Sequence, residues 1–348
     1  MKILAFESSC DETAVAVVED GRRILSDAIA SQADMHALYG GVVPEIASRK
    51  HVEAIAALTE QALREAACTR ADIDAVAVTY APGLIGAVLV GLSFAKSVAY
   101  AWDVPLIPVH HVRGHIAANY LAFPDLQPPF VALAISGGNT LIVDVRDYTD
   151  LKILGATRDD AAGECFDKAA RVLGLPYPGG KPMDELARQS RGGVYPLPRT
   201  KVDGAELDMS FSGLKTAVVN LAHRAEQTGQ PLDRAALARD FTAAVSAELV
   251  PRAMKALHLT GRTVLVASGG VAANSIIRSD LQTACAQEGC RLCLPPLSLC
   301  GDNGAMIGAQ GYYEYRAGHT AGMELNAYAT REIDDSEPSR DGAHKMER

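Results

Sequence analysis

Short apolar runs broken by small-residue turns recur along this chain, and they recur in the same order. Ile3-Leu4-Ala5-Phe6-Glu7, the polar stretch Ser8-Ser9-Cys10-Asp11-Glu12-Thr13 and Ala14-Val15-Ala16-Val17-Val18 follow the plan of a β-hairpin. Phe130-Val131-Ala132-Leu133-Ala134-Ile135, Ser136-Gly137-Gly138-Asn139-Thr140 and Leu141-Ile142-Val143-Asp144-Val145 repeat that plan. A third strand is predicted after each hairpin, over Arg23 to Ala28 and over Leu151 to Leu154. Asp74 to Thr79 then reads as a strand leading through Ala81-Pro82-Gly83 into a helix. Its counterpart, Thr263 to Ala267, leads through Ser268-Gly269-Gly270 into a helix over Ala273 to Gln287. Two copies of strand–strand–strand–helix–strand–helix predict an α/β protein of two similar lobes with a cleft between them. The first lobe is expected over residues 1–125, with room for part of the C-terminal helix to return to it, and the second over 126–325.

Three- and four-residue steps between apolar positions predict a helix over Pro44 to Ala67, through Ile46, Val52, Ile55, Leu58 and Leu63, and another over Ala235 to Leu257. The longest uncharged stretch, Tyr80 to Ala95, is broken by Pro82-Gly83 and ends at Lys96, so it reads as a buried turn and helix and not as a membrane span. The apolar run at the start is too short for a signal peptide. Residues 326–348, and above all Arg331 to Arg348, carry few apolar side chains and are expected to be a disordered tail.

Composition narrows the class. Apolar residues make up 48% of the 348 and charged residues 22%, as in a globular protein with a large core. Seven cysteines, an odd number without disulfide-like spacing, point to a reducing cytosol. Cys290 and Cys293 have CxxC spacing but no second pair, which argues against a structural zinc site. The net charge of −9 does not announce a nucleic-acid partner, because phosphate contacts demand a basic surface; a local patch or a partner subunit would have to supply it.

The candidate chemistry lies in turns and in one histidine cluster. Ser8-Ser9-Cys10-Asp11, Ser136-Gly137-Gly138 and Ser268-Gly269-Gly270 could bring backbone N–H groups close to a phosphate, or could be ordinary turns; matched turns in both halves favour phosphate. The chain has neither GxxxxGK[ST] nor GxGxxG, which disfavours P-loop and Rossmann nucleotide binding. His110-His111-Val112-Arg113-Gly114-His115 follows a strand predicted over Val104 to Val109 and opens a helix running to about Leu121. His111 and His115, four apart, share a helix face and can clamp one metal ion, although core or capping histidines would give the same spacing. Val112 stands where an HExxH metalloprotease needs its glutamate, so the base of that mechanism is missing. Asp302, at a glycine-flanked turn opening a helix, is either a third ligand or an N-cap, and spacing alone does not choose. Asp167 and Asp184 could accept hydrogen bonds from a sugar or a substrate hydroxyl, or could be ordinary helix acids. Lys215 reads first as a solvated lysine at a helix start.

Several of these stretches together resemble one family. They are Glu7-Ser8-Ser9-Cys10-Asp11-Glu12-Thr13, Pro44-Glu45-Ile46-Ala47-Ser48-Arg49-Lys50-His51, the His111/His115 pair, Ser136-Gly137-Gly138, Phe211-Ser212-Gly213-Leu214-Lys215-Thr216, Gly269-Gly270-Val271-Ala272-Ala273-Asn274 and Asp302-Asn303-Gly304-Ala305-Met306. In order, over residues 1–320, they resemble the bacterial tRNA N6-adenosine threonylcarbamoyltransferases (TsaD), formerly labelled O-sialoglycoprotein endopeptidases. The resemblance implies a two-lobed actin/Hsp70/sugar-kinase-like (ASKHA) fold, in agreement with the duplicated pattern. It implies transfer of threonylcarbamoyl from threonylcarbamoyl-adenylate to N6 of adenosine 37 in tRNAs reading ANN codons, with release of AMP, in the cytoplasm. It implies one metal, iron(II) with zinc as the alternative, held by His111, His115 and Asp302. Contacts to the adenylate are implied for Ala134, Ile135, Ser136, Gly137, Gly138, Asp167, Gly180, Asp184 and Asn274, and a place near the reacting centre for Asp11 and Glu12. The implied helpers are a degraded paralogue that dimerises with the enzyme (TsaB-like) and a small ATPase (TsaE-like). Asn139 departs from the bacterial histidine and Ser8 from the common threonine, which touches only fine substrate positioning. The competing reading, an ATP-dependent kinase or Hsp70-like ATPase of the same fold, would bind Mg²⁺ through carboxylates and water and has no use for paired histidines.

Overall fold

The computed structural model describes residues 1–199, 202 and 205–335. It divides into two units: residues 1–128, 146–151 and 301 onward, and residues 129–145 and 152–300.

The first unit is built on a five-stranded sheet. Its strands are β1 (Lys2–Glu7), β2 (Glu12–Glu19), β3 (Arg23–Ser31), β4 (Ala75–Ala81) and β5 (Leu106–His110), in the order β3-β2-β1-β4-β5. β1 pairs antiparallel with β2, and β2 with β3, while β4 and β5 join in parallel. Every residue of β4 and β5 is buried, which is why these strands show no polar alternation. The helices are α1 (Ala33–Ala37), α2 (Pro44–Glu65), α3 (Ile85–Trp102) and α4 (His111–Ala122). α3 has the length and composition to cross a membrane. Its face of Ala87, Val88, Gly91, Leu92, Ala95 and Ala99 is nevertheless buried, and it packs on β4 and α2, the pattern of a one-sided core helix.

The second unit repeats the plan. β6 (Phe130–Ile135), β7 (Thr140–Val145), β8 (Leu151–Ala156), β9 (Val264–Ser268) and β10 (Arg291–Cys293) lie in the order β10-β9-β6-β7-β8. The third, second, first, fourth and fifth strands are therefore neighbours in that sequence in both sheets. Its helices are α5 (Ala162–Val172), α6 (Gly180–Ala187), α7 (Ser212–Thr228), α8 (Arg234–Thr260) and α9 (Ser275–Glu288). The three-residue β10 has no prediction behind it, because so short a segment carries no period. Cys290 and Cys293 lie at this strand, and neither forms a disulfide.

Two expectations need correcting. α10 (Gly304–Arg316) and the chain around it belong to the first unit, a return for which the expected bounds leave room, and the second unit ends at residue 300 and not at 325. α10 packs on α4 and on β1, β2 and β4. The approach is close because a Cβ on Gly304 would lie 2.7 Å from the Ala16 nitrogen. The segment 326–335, expected to be a disordered tail, is packed. Ala327 and Ile333 are buried, and Tyr328 N donates to Tyr80 O at 2.9 Å. Its anchors are main-chain carbonyls and one stacked arginine, and apolar composition does not register those. Residues 336–348 of the expected tail lie outside the described residues.

Candidate metal centre and nucleotide turn

The three histidines of the cluster have different work. His110 ends β5 and caps α4: its Nδ1 accepts from Val112 N at 3.2 Å, and its Nε2 donates to Arg331 O at 3.0 Å. Both bonds suit the neutral ring, and burial pushes its pKa down to about 3. His111 and His115 occupy one face of α4 with ring centroids 4.6 Å apart. Asp302 Oδ1 lies 3.1 Å from His115 Nε2 and 3.6 Å from His111 Nε2. One ligand atom from each of the three falls within 4.8 Å of the others. The cap of α10 is Asn303, whose side chain accepts from Met306 N at 2.8 Å. Asp302 is thus left to face the histidines.

Glu7, quoted above only within a motif, supports this group from behind. His111 Nδ1 donates to Glu7 Oε2 at 3.0 Å, while Thr79 Oγ1 donates to the same oxygen and Ser9 N to Oε1, each at 2.5 Å. A proton on Nδ1 leaves the lone pair of Nε2 on the side of Asp302, the arrangement of a carboxylate–histidine–metal relay. The signal available in the sequence was a glutamate closing an otherwise apolar strand.

The residues fit a divalent cation on two counts. Neither ring nitrogen of His115 makes a hydrogen bond, although the residue is 1% exposed. Two nitrogens and a carboxylate oxygen also form a donor set suited to iron or zinc. Negative charge is in excess as well. Burial, then Asp302 and Asp11, push Glu12 up to about 9. Burial would lower the His111 ring, but Glu7 and Asp302 outweigh it and hold it at about 9. Burial would raise Asp302, but His111 and His115 bring it to about 2. Asp11 is buried beside Glu12, and Ser31 Oγ donates to Glu12 Oε1 at 3.1 Å.

In the second unit, Ala134 and Ile135 end β6, and Ser136 to Asn139 form the turn to β7, closed by Ser136 N donating to Asn139 O at 2.8 Å. The amides of Gly163 and Glu164 at the start of α5 donate to Ser136 O and Gly137 O. A Cβ on Gly137 or Gly138 would meet nothing within 4 Å, so these two positions are open. Gly269 is different: its φ is +88°, and a Cβ there would lie 2.4 Å from Ile135 O. Asn274 caps α9 through Oδ1, while its buried Nδ2 has no partner. Ser268 Oγ, at the end of β9, is buried without a partner as well. Asp184 Oδ1 accepts from Ser275 N and Oγ at 3.0 and 2.7 Å, and Asp167 Oδ1 accepts from Gly179 N at 2.7 Å, one residue before Gly180 opens α6. The predicted residues of this unit therefore line one chain of contacts from β6 through α5 and α6 to α9. Asp167 and Asp184 already serve that framework.

Lys215 is not a free surface lysine. Its Nζ pairs with Asp160 Oδ2 at 2.6 Å, while Asp159 accepts from Phe211 N and from Ser210 and Ser212, so this motif docks α7. Arg49 and Lys50 likewise pair with Glu45 and Glu53.

Comparison with known proteins gives the family. The chain is 53% identical over 326 residues to the tRNA N6-adenosine threonylcarbamoyltransferase of Moorella thermoacetica, across 93% of this chain and 95% of that one. It is 48% identical over 327 residues to the protein of the same name from Clostridium botulinum, across 94% and 96%. Among solved structures, HypF of T. kodakarensis matches with a TM-score of 0.61 at 15% identity, over 93% of this chain and 49% of HypF. The component A of (R)-2-hydroxyglutaryl-CoA dehydratase from Acidaminococcus fermentans matches at 0.52 and 13%, over 91% and 99%. These two likenesses carry the ASKHA fold and nothing further. A family model described as tRNA N6-adenosine threonylcarbamoyltransferase matches residues 23–309. With relatives of that name aligned along almost their whole length, this chain belongs to the tRNA N6-adenosine threonylcarbamoyltransferase family and is a transferase.

Proposed function

We propose that the chain moves threonylcarbamoyl from threonylcarbamoyl-adenylate to N6 of adenosine 37 in tRNAs that read ANN codons. The observation that carries this reading is the convergence of His111, His115 and Asp302, with Glu7 fixing the tautomer of His111. An ATPase or kinase of the same fold has no need of that set. The three residues would hold one divalent ion, iron(II) before zinc, which when bound supplies positive charge for the phosphate or carbamoyl oxygens as AMP leaves.

The chain's own groups do the remaining work. Contacts to the adenylate are assigned to Ala134 through Gly138, with Gly180 and Asn274; the unpartnered Nδ2 of Asn274 is a donor waiting for an acceptor. Asp167 and Asp184 hold the turns that present them. N6 of adenosine attacks the carbamoyl carbon, the bond from that carbon to the phosphate oxygen breaks, and AMP leaves with the electron pair. Asp11 orients the amine and takes its proton. Glu12, beside Asp11, accepts a hydrogen bond from Ser31 Oγ and lines the same place. The protein works in the cytoplasm with the paralogue and the small ATPase as helpers. A reconstituted mixture of helpers, threonylcarbamoyl-adenylate and unmodified tRNA should form the modified nucleoside. Equal product with this chain left out would end the reading.

A further inference from the structure

The helix that carries two of the three metal-facing side chains is held from its opposite side by the last described segment of the chain. Successive helix residues turn by about 100°, so Arg113 projects about 160° from both His111 and His115. The residue is 2% exposed, and the acceptors of its guanidinium include three backbone carbonyls and one carboxylate. Nε donates to Ile333 O at 2.9 Å and Nη2 to Asp335 O at 2.8 Å. Nη1 reaches Glu314 Oε1 on α10 at 3.1 Å and Thr149 O at 3.4 Å. Glu314 is fully buried and is itself held by Gln310 Nε2 and His319 Nδ1, each at 2.6 Å. One residue before the metal pair, His110 donates to Arg331 O.

The segment is anchored in turn. The Arg331 guanidinium lies 5.5 Å from the Tyr80 ring centroid and 5.7 Å from that of Tyr328. Tyr328 N donates to Tyr80 O, and Gly83 N to Ala329 O. Tyr80 follows Thr79 on β4, and Thr79 is the residue that donates to Glu7 behind His111. Neighbouring positions of one strand therefore support the metal group by two routes.

We propose that residues 328–335 are a positioning strap that sets the rotation of α4 and thereby the affinity and geometry of the metal site. The inference rests on the metal reading above. Rotation is the sensitive variable: an atom about 6 Å from a helix axis moves about 1 Å for a 10° turn. Coordination tolerates only about 0.2 Å.

The test uses cobalt(II) and three variants beside the parent chain. One ends at Ala327, one ends at Asp335, and one is Arg113→Lys, which keeps a charge toward Glu314 but cannot span the carbonyls of Thr149, Ile333 and Asp335 as well. Cobalt affinity is read by chelator competition and ligand geometry by the visible absorption band. The metal-free proteins are melted in parallel. The chain ending at Asp335 should match the parent. The chain ending at Ala327 and Arg113→Lys should bind cobalt about 10- to 100-fold more weakly, with an altered band, as expected for groups that orient ligands. A strap of purely structural importance would lower the melting temperature of the metal-free protein and leave affinity and band unchanged; that result overturns the proposal. If the chain ending at Ala327 does not fold, Arg113→Lys decides alone, and parental affinity and band in it overturn the strap. Failure of the parent to bind cobalt overturns the metal reading itself.

Discussion

Glu7 and His111, far apart in the chain, meet at 3.0 Å, and this contact determines which nitrogen of the histidine faces Asp302. Glu7→Gln keeps an acceptor for Nδ1 and the shape of the side chain, but loses the charge that polarises the ring. Metal affinity should drop about 10- to 100-fold, measured by chelator competition. The reference is His111→Ala/His115→Ala, which should bind no metal while giving parental circular dichroism. Parental affinity in Glu7→Gln would reduce Glu7 to a buried structural acid, and full metal retention in the double variant would remove the site from α4.

The two glycine turns of the second unit should separate ligand binding from folding. A Cβ on Gly137 meets nothing, so Gly137→Val should fold normally and lose affinity for an AMP analogue by calorimetry. Gly269→Ala puts a methyl group 2.4 Å from Ile135 O at a φ of +88°. It should cost on the order of 1–3 kcal/mol in chemical denaturation. Unchanged nucleotide affinity in Gly137→Val would move the adenylate elsewhere.

Asp27 gives a pH dependence with a definite sign. Burial pushes its carboxyl up to about 6, against the lowering effect of the bonds from Gly304 and Ala305 nitrogens. An unfolded aspartate titrates near ~3.9, so between these values the folded chain binds more protons than the unfolded one. The contribution of Asp27 to stability is complete below the lower value and is lost as pH rises through the upper one. Asp27→Asn still offers an oxygen to Gly304 N. The stability difference between parent and Asp27→Asn, from urea midpoints, should therefore shift in favour of the variant between about pH 4 and pH 7. A difference independent of pH would show that Asp27 does not titrate there.

Asp11→Ala tests the proton acceptor apart from the metal. The variant should retain metal and adenylate and slow the transfer step by about 10²- to 10⁴-fold, the usual contribution of a general base. Single-turnover formation of the modified nucleoside at parental rate would place that role on another group.

Periodicity and turn chemistry are local properties, and they carried the doubled strand–strand–strand–helix–strand–helix plan, α2, α8 and the spacing of His111 and His115. A period of 3.6 puts residues four apart on one face whatever surrounds them. Local pattern also offered Asp302 two roles, ligand or cap, because either follows from a carboxylate at a helix start. Only packing chose: Asn303 takes the cap, since its side chain is the one that reaches Met306 N, and α10 lies against α4 so that Asp302 meets the histidines. Glu7 needed β1 and β4 side by side before Thr79 and His111 could reach it. The segment 326–335 looked empty because its bonds are made by backbone carbonyls, which every sequence possesses. Contacts between distant parts of a chain depend on how its elements stack, and no short window of residues contains that information.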